Sequence, residues 1–136
     1  MDPLKSISKI AASGLRAQSE RLKIVAENVA NAGSTSTAPG GDPYRRKTIA
    51  FEEMLDDAIG ASMVRVANIG RDKGDFTLRL DPAHPAADAD GLVKMPNVNA
   101  LLEMGDMREA QRSYEANLNM LEAGRKMRNQ MLDLLG

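Results

Sequence analysis

The sequence has no cysteine, no tryptophan, four other aromatic residues and a single histidine. Without cysteine there is neither a disulfide nor a thiolate ligand, although that absence does not identify a compartment. Tyr44, Phe51, Phe76 and Tyr114 are too few to fill a core, so apolar burial in these 136 residues must come from Leu, Ile, Val, Met and Ala. A chain of one ordinary domain's length is already marginal in the surface it can bury. Completing the core by oligomerising is therefore expected. No apolar run is long enough for a membrane span. The opening Met1-Asp2-Pro3-Leu4-Lys5 leads into an amphipathic pattern, not the apolar stretch of a secretory signal, so neither feature is expected. The net charge is -1, made of +2 over residues 1–33, -2 over 34–100 and -1 over the remainder. No arm has the basic excess that nucleic acid or an anionic membrane demands.

Two amphipathic stripes stand at the ends of the chain. In the first, Leu4, Ile7, Ala11, Gly14, Gln18, Leu22, Val25 and Val29 recur at steps of three and four, a heptad seam with one Gly and one Gln in it. Asp2 and Pro3 supply an N-cap and a first-turn proline, and Asn31 and Gly33 are stop residues, which predicts a helix over 3–31. Gly14 costs about 1 kcal/mol relative to Ala inside a helix. It reads equally as a tolerated defect or as a point of close backbone approach. In the second stripe Met104, Met107, Gln111, Tyr114, Leu118, Leu121, Arg125, Arg128, Leu132 and Leu135 keep the same spacing, with Asn97 or Asn99 to cap its start. Glu103 and Asp106 suit the positive end of that helix. Met127, Met131 and Leu134 widen its apolar face towards the C-terminus, as contact with more than one partner helix would require. Methionines at helical spacing are packing residues, since the thioether fills irregular gaps.

Between the stripes the composition changes completely. Residues 33–43 read as a linker rich in Gly, Ser, Thr and Pro. Tyr44 to Phe51 can be extended, and Phe51 to Ile59 reads as a short helix. Met63 to Ile69 and Asp75 to Leu80 alternate like half-buried strands, and Gly70 to Gly74 between them is a good turn. That predicts a hairpin over 63–80. Gly91 to Met95 offers a third short strand, ended by Pro96.

Candidate chemistry is thin. Asp81-Pro82-Ala83-His84-Pro85-Ala86-Ala87-Asp88-Ala89-Asp90-Gly91 gathers three carboxylates and the histidine. Read as a calcium loop through Asp88, Asp90 and Gly91, it lacks the charged first ligand and the closing bidentate Glu; zinc would need more than one His. The segment reads instead as a proline-stiffened turn with Asp side chains bonded to backbone amides. No nucleophilic triad and no phosphate-binding glycine motif is present. Arg45-Arg46-Lys47, followed by Glu52, Glu53, Asp56 and Asp57, reads as a solvated or intersubunit charged face. No catalytic residue, metal site or cofactor is expected, nor a nucleic-acid or small-molecule partner. A self-assembling structural protein fits best. A cytoplasmic helical adaptor forming a discrete oligomer is the alternative, and an enzyme built on the Asp/His turn comes third.

Several stretches carry a resemblance. Ala26-Glu27-Asn28-Val29-Ala30-Asn31, Pro43-Tyr44-Arg45-Arg46-Lys47 and Phe51-Glu52-Glu53-Met54-Leu55 resemble the N-terminal region of the bacterial flagellar axial proteins, with Glu27 where many members have asparagine. Asp81-Pro82-Ala83-His84-Pro85, Asp88-Ala89-Asp90-Gly91, Pro96-Asn97-Val98-Asn99 and Arg112-Ser113-Tyr114-Glu115-Ala116-Asn117 are similar to proximal-rod members of that family, and the likeness covers essentially the whole chain. The resemblance implies a mainly α fold with a small β-rich insert. The helix of residues 1–33 would pair with that of 97–136 as an antiparallel coiled coil, joined through the linker and β-hairpin region of 34–96. It further implies export by the flagellar type III system and a place in the basal-body rod spanning the periplasm. The partners implied are copies of itself, other rod proteins, the base adaptor and export gate, and the distal rod, in a shaft that transmits motor torque. The subunit contacts expected are Leu4, Ile7, Ala11, Leu22, Val25 and Val29 on the first helix. On the second they are Met104, Met107, Tyr114, Leu118, Leu121, Leu132 and Leu135.

Overall fold

A computed structural model describes residues 3–58 and 60–136. The expected N-cap Asp2 and the end of the expected 51–59 helix, Ile59, lie outside the described residues. The element order is α1 (Pro3–Ala30), β1 (Lys47–Asp56), β2 (Ala61–Arg71), β3 (Thr77–Leu80), β4 (Leu92–Met95) and α2 (Ala100–Leu135). The fold is thus mixed, with a long helix at each end and a small β region between them. Pro3 opens α1, where its missing N–H costs nothing. Beyond Ala30 the chain turns on Asn31, whose Nδ2 donates to the Glu27 carbonyl at 2.9 Å. At the start of α2 the cap is Asn99: its Oδ1 accepts from the amides of Leu101 and Leu102 at 3.1 and 3.3 Å, which satisfies two otherwise orphaned donors. No helix among the described residues is long and apolar enough to cross a membrane.

The strands depart from expectation. Residues 51–56 belong to β1 and are not helical, and β1 pairs with β2 in a two-stranded sheet. Asp57, Ala58 and Gly60 turn the chain between them, where Asp56 Oδ1 accepts from the Ala58 amide and Gly60 takes a φ of 64°. Glycine enters that left-handed region at no steric cost. The expected 63–80 hairpin does not form. Its turn is held open by other bonds: the Asp72 amide donates to the Arg46 carbonyl at 2.8 Å, and the Arg45 guanidinium donates to the carbonyls of Asp72 and Gly74. Freed from β2, β3 pairs antiparallel with β4, with Arg79 opposite Val93 and Leu80 opposite Leu92. The third short strand is therefore present and ends at Pro96 as expected.

The chain divides into two compact units. Unit 1 comprises the residues through Leu22, Ile49–Asn68 and Arg108–Gly136; unit 2 comprises Lys23–Thr48 and Ile69–Met107. In unit 1 the deepest residues are small: Ala11, Ser13, Gly14, Ala17, Ala110 and Gly124. Small residues leave room in this seam, and Gly14 is neither a tolerated defect nor a point of backbone approach: what comes close to it is a side chain. A Cβ at Gly14 would lie 2.5 Å from Asn117 Oδ1. Gly124 lies against Ser8 and Ile7, and Arg21 pairs with Glu109 at 3.4 Å. As numbering rises from 7 through 14 to 21 on α1, it falls from 124 through 117 to 109 on α2. Ser13 Oγ also accepts from the Val64 amide at 3.3 Å, fixing β2 on the helix. In unit 2 the core is Ile24, Val25, Ala86 and Val93 with two polar residues, Asn28 and Glu103.

Gly14→Ala is expected to destabilise unit 1 in the intact chain, because the added methyl must displace Asn117. Over-packing of this kind costs about 1–3 kcal/mol. In an Asn117→Ala background the same change should turn stabilising by about 1 kcal/mol, the helix-propensity gain. Urea unfolding of the four proteins of that cycle measures both signs.

Candidate assembly site

Arg45, Arg46 and Lys47 follow the linker directly and enter β1, so their side chains are fixed where the strand begins. None of them forms a solvated face. The Arg45 guanidinium lies over the Phe76 ring, 4.2 Å from its centroid. Arg46 donates to the Glu103 carboxylate and lies 3.5 Å from Asp72. Lys47 pairs with Glu27. The three basic residues thus form a polar clasp within unit 2, while Glu52 and Asp56, expected on the same charged face, pair with Arg65 and Lys9.

Asn28 and Glu103 are the clasp's centre. Asn28 is 1% exposed and uses its whole hydrogen-bonding capacity. Its Nδ2 donates to the Lys47 carbonyl and to Glu103 Oε2. Its Oδ1 accepts from the Tyr44 hydroxyl at 2.6 Å and the Lys47 amide at 2.9 Å. Asn97 Oδ1 accepts from the Arg46 amide at 2.8 Å, and its Nδ2 donates to the Asp72 carbonyl. The Glu103 bond raises the Arg46 pKa above its ordinary value. The Lys47 bond lowers the Glu27 carboxyl below its ordinary 4.5.

The loop of residues 81–91 also packs within unit 2. Asp88 Oδ1 accepts from the amides of Asp90 and Leu92, as expected of a carboxylate-braced turn. His84 Nδ1 accepts from the Ala86 amide at 3.0 Å. The linker is anchored there too, since the Gly40 amide donates to the Ala86 carbonyl. Gly91 has a φ of 77°, and a Cβ there would meet Pro82 Cγ at 2.9 Å.

The residues expected to make subunit contacts fall into three groups. Ala11 and Val25 are buried within the chain. Leu4, Ile7, Leu22, Val29, Met107, Tyr114, Leu118 and Leu121 are half-buried, and Met104, Leu132 and Leu135 are exposed. Reading apolar size missed the deepest α2 positions, Glu103, Ala110 and Gly124, together with Arg46 and Asn28. The signal was available: Glu103, Ala110, Asn117 and Gly124 recur every seven residues. The exposed apolar residues concentrate at Leu101, Leu102 and Met104 in unit 2 and at Met127, Met131, Leu132, Leu134 and Leu135 in unit 1.

Comparison with known proteins matches residues 9–36 to the family model described as "Flagella basal body rod protein". Residues 89–134 match "Flagellar basal body rod FlgEFG protein C-terminal". The chain is 56% identical to the flagellar basal-body rod protein FlgC of Agrobacterium fabrum, over 99% of this chain and 97% of the relative. It is 42% identical to FlgC of Salmonella typhimurium, over 96% and 97%. It is 36% identical to FlgC of Bacillus subtilis, over 92% and 93%.

Arg46→Met should destabilise unit 2 by about 3 kcal/mol, since it strands the Glu103 carboxylate away from water. Adding Glu103→Leu should recover most of that loss. Urea unfolding gives the energies, and hydrogen exchange at the Lys47 amide locates them. The Glu27 pair has a defined sign with pH. Its folded pKa is depressed, so its stabilisation is present above about 4.5 and is lost as pH falls through the folded value. Glu27→Gln should therefore flatten the acid limb of the stability profile, and urea midpoints from pH 7 downward read this.

Proposed function

The chain belongs to the FlgC family of flagellar basal-body rod proteins and is a structural subunit of the basal-body rod, not an enzyme, and from that premise we propose how it assembles. α1 and α2 pair as an antiparallel coiled coil, an arrangement supported by the opposed numbering of their contacts in unit 1. The helical segments 1–33 and 97–136 act as the assembly domain, and the linker and β-rich segment 34–96 as an insert between them. The expected contact residues divide their work. Ala11, Val25 and the half-buried positions hold the subunit's own helices, while Met104, Leu132 and Leu135 meet neighbouring subunits.

The observation that carries this reading is the run of exposed Met and Leu side chains at the end of α2. Each contributes about 1.5–3 kcal/mol when fully buried, so many modest contacts repeated around an array give a stiff tube able to transmit torque. The neighbours we propose beyond other rod subunits are the base adaptor and export gate on one side and the distal rod on the other. Delivery is through the flagellar type III channel to a rod that spans the periplasm. The adaptor reading has no comparable support.

Leu132→Asp alters an exposed position, so the variant should fold as the parent does by circular dichroism. It should nevertheless be lost from purified basal bodies and leave cells non-motile. Normal copurification of that variant would remove Leu132 from the interface. Absence of the unaltered protein from basal bodies would favour the adaptor.

A further inference from the structure

The sequence holds one histidine, and within unit 2 both of its ring nitrogens fasten the linker. His84 Nδ1 accepts from the Ala86 amide at 3.0 Å, which requires that nitrogen to carry no proton. The proton of the neutral ring is then on Nε2, 3.4 Å from Thr35 Oγ1, so the ring donates to the linker. Ala86, 1% exposed, passes the constraint on: its carbonyl accepts from the Gly40 amide at 3.1 Å. Gly40 takes a φ of 68°, a backbone state that glycine enters freely. At its base the linker is closed separately, by the Tyr44 amide donating to the Ser34 carbonyl at 2.9 Å. Residues 35–43 thus form a loop pinned at Thr35 and Gly40. A further pin, Lys94 to Asp42 at 3.2 Å, is exposed at both ends and holds little.

Protonation reverses the chemistry of Nδ1. An imidazolium has an N–H donor at each nitrogen, so a donor would face the Ala86 amide and their bond would be lost. An amide left without its acceptor away from water is costly. Turning the ring outwards relieves the clash, but it takes Nε2 from Thr35 and loosens the peptide that holds Gly40. The charged groups on the segments packed here are Asp81, Asp88 and Asp90 of the loop, Asp42 of the linker and Lys94 of β4. The Asp88 carboxylate is bonded to the Asp90 and Leu92 amides, and Asp42 to Lys94. Carboxylates and lysines ordinarily change charge outside the histidine range of about pH 5–8, which leaves His84 as the group that responds there. We propose that His84 is a pH-sensitive latch: the neutral ring fastens residues 35–43 to the loop of 81–91, and protonation releases them. The latched form carries no proton on Nδ1 and the released form does, so falling pH favours release. The clasp at Asn28 and Glu103 contains no imidazole and should stay closed. The latch goes beyond the rod reading and stands or falls independently of it.

Nitrogen-15 NMR on the full chain, read at the imidazole and at the backbone amides, tests the latch between about pH 8 and pH 5. At the alkaline end the ring should show a bare Nδ1 and a protonated Nε2. On acidification the exchange protection of the Gly40 and Ala86 amides, corrected for the intrinsic effect of pH, should fall by about tenfold or more. Protection of the Lys47 amide in the clasp should be kept. His84→Asn retains an acceptor for the amide two residues on and has no proton to gain, so its Gly40 protection should be the same at both ends of the range. His84→Ala should be released throughout. A proton on Nδ1 in the alkaline form, Gly40 protection that ignores pH in the parent, or an equal loss at Lys47 would each overturn the latch. So would a pH response that persists in His84→Asn, or full protection in His84→Ala. The first three readings come from the unaltered chain, so a variant that fails to fold leaves them in force.

Discussion

A carboxylate taken out of water is costly unless its partners are already in place, and in unit 2 that constraint falls on Glu103. Its side chain is 3% exposed and held by Arg46 and Asn28. Those two partners come from the start of β1 and the last turns of α1, so ionised Glu103 can be accommodated only when three separate segments have met. Asn28 extends the requirement by bonding both backbone groups of Lys47 and the Tyr44 hydroxyl. A polar centre of this kind specifies one arrangement more sharply than its net contribution to stability would suggest. It also accounts for the open segment at 70–74, whose carbonyls are taken by Arg45 and Asn97 and not by a hairpin partner.

Unit 1 obeys the opposite logic. Its deepest residues are glycine, alanine and serine, so each contact buries little apolar area. Large side chains have no place in such a seam and are displaced to its margins or to the surface. Met120, Met127, Met131 and Leu134 are among the side chains left exposed.

This difference explains what could be read in the sequence. Both long helices were legible, with α1 ending one residue from its expected end and Asn99 among the two expected caps, because helical periodicity persists over many turns. The β4 strand and the carboxylate-braced loop at 81–91 followed from local turn chemistry. Strand partnership was not legible: Gly70 to Gly74 resembles a hairpin turn by composition, but its bonds go to Arg45 and Asn97, distant in sequence. Periodicity of the largest apolar residues picked out Met107, Tyr114, Leu118 and Leu121, which are half-buried. It could not place Ala110 or Gly124 deepest, since depth there is set by how little space a residue needs.

The two modes of cohesion bear on when the subunit becomes rigid. A seam of small residues and a clasp of ion pairs give modest apolar burial for a chain of this length, and helices of this kind draw most of their stability from packing against other elements. Meanwhile the leucines and methionines that could supply the largest transfer free energies stay in contact with water. Association that buries them adds stabilisation to the ends of α2 while leaving the internal clasp unchanged. Rigidity should therefore rise with assembly, so that a weakly held subunit and a stiff rod are two states of one set of contacts.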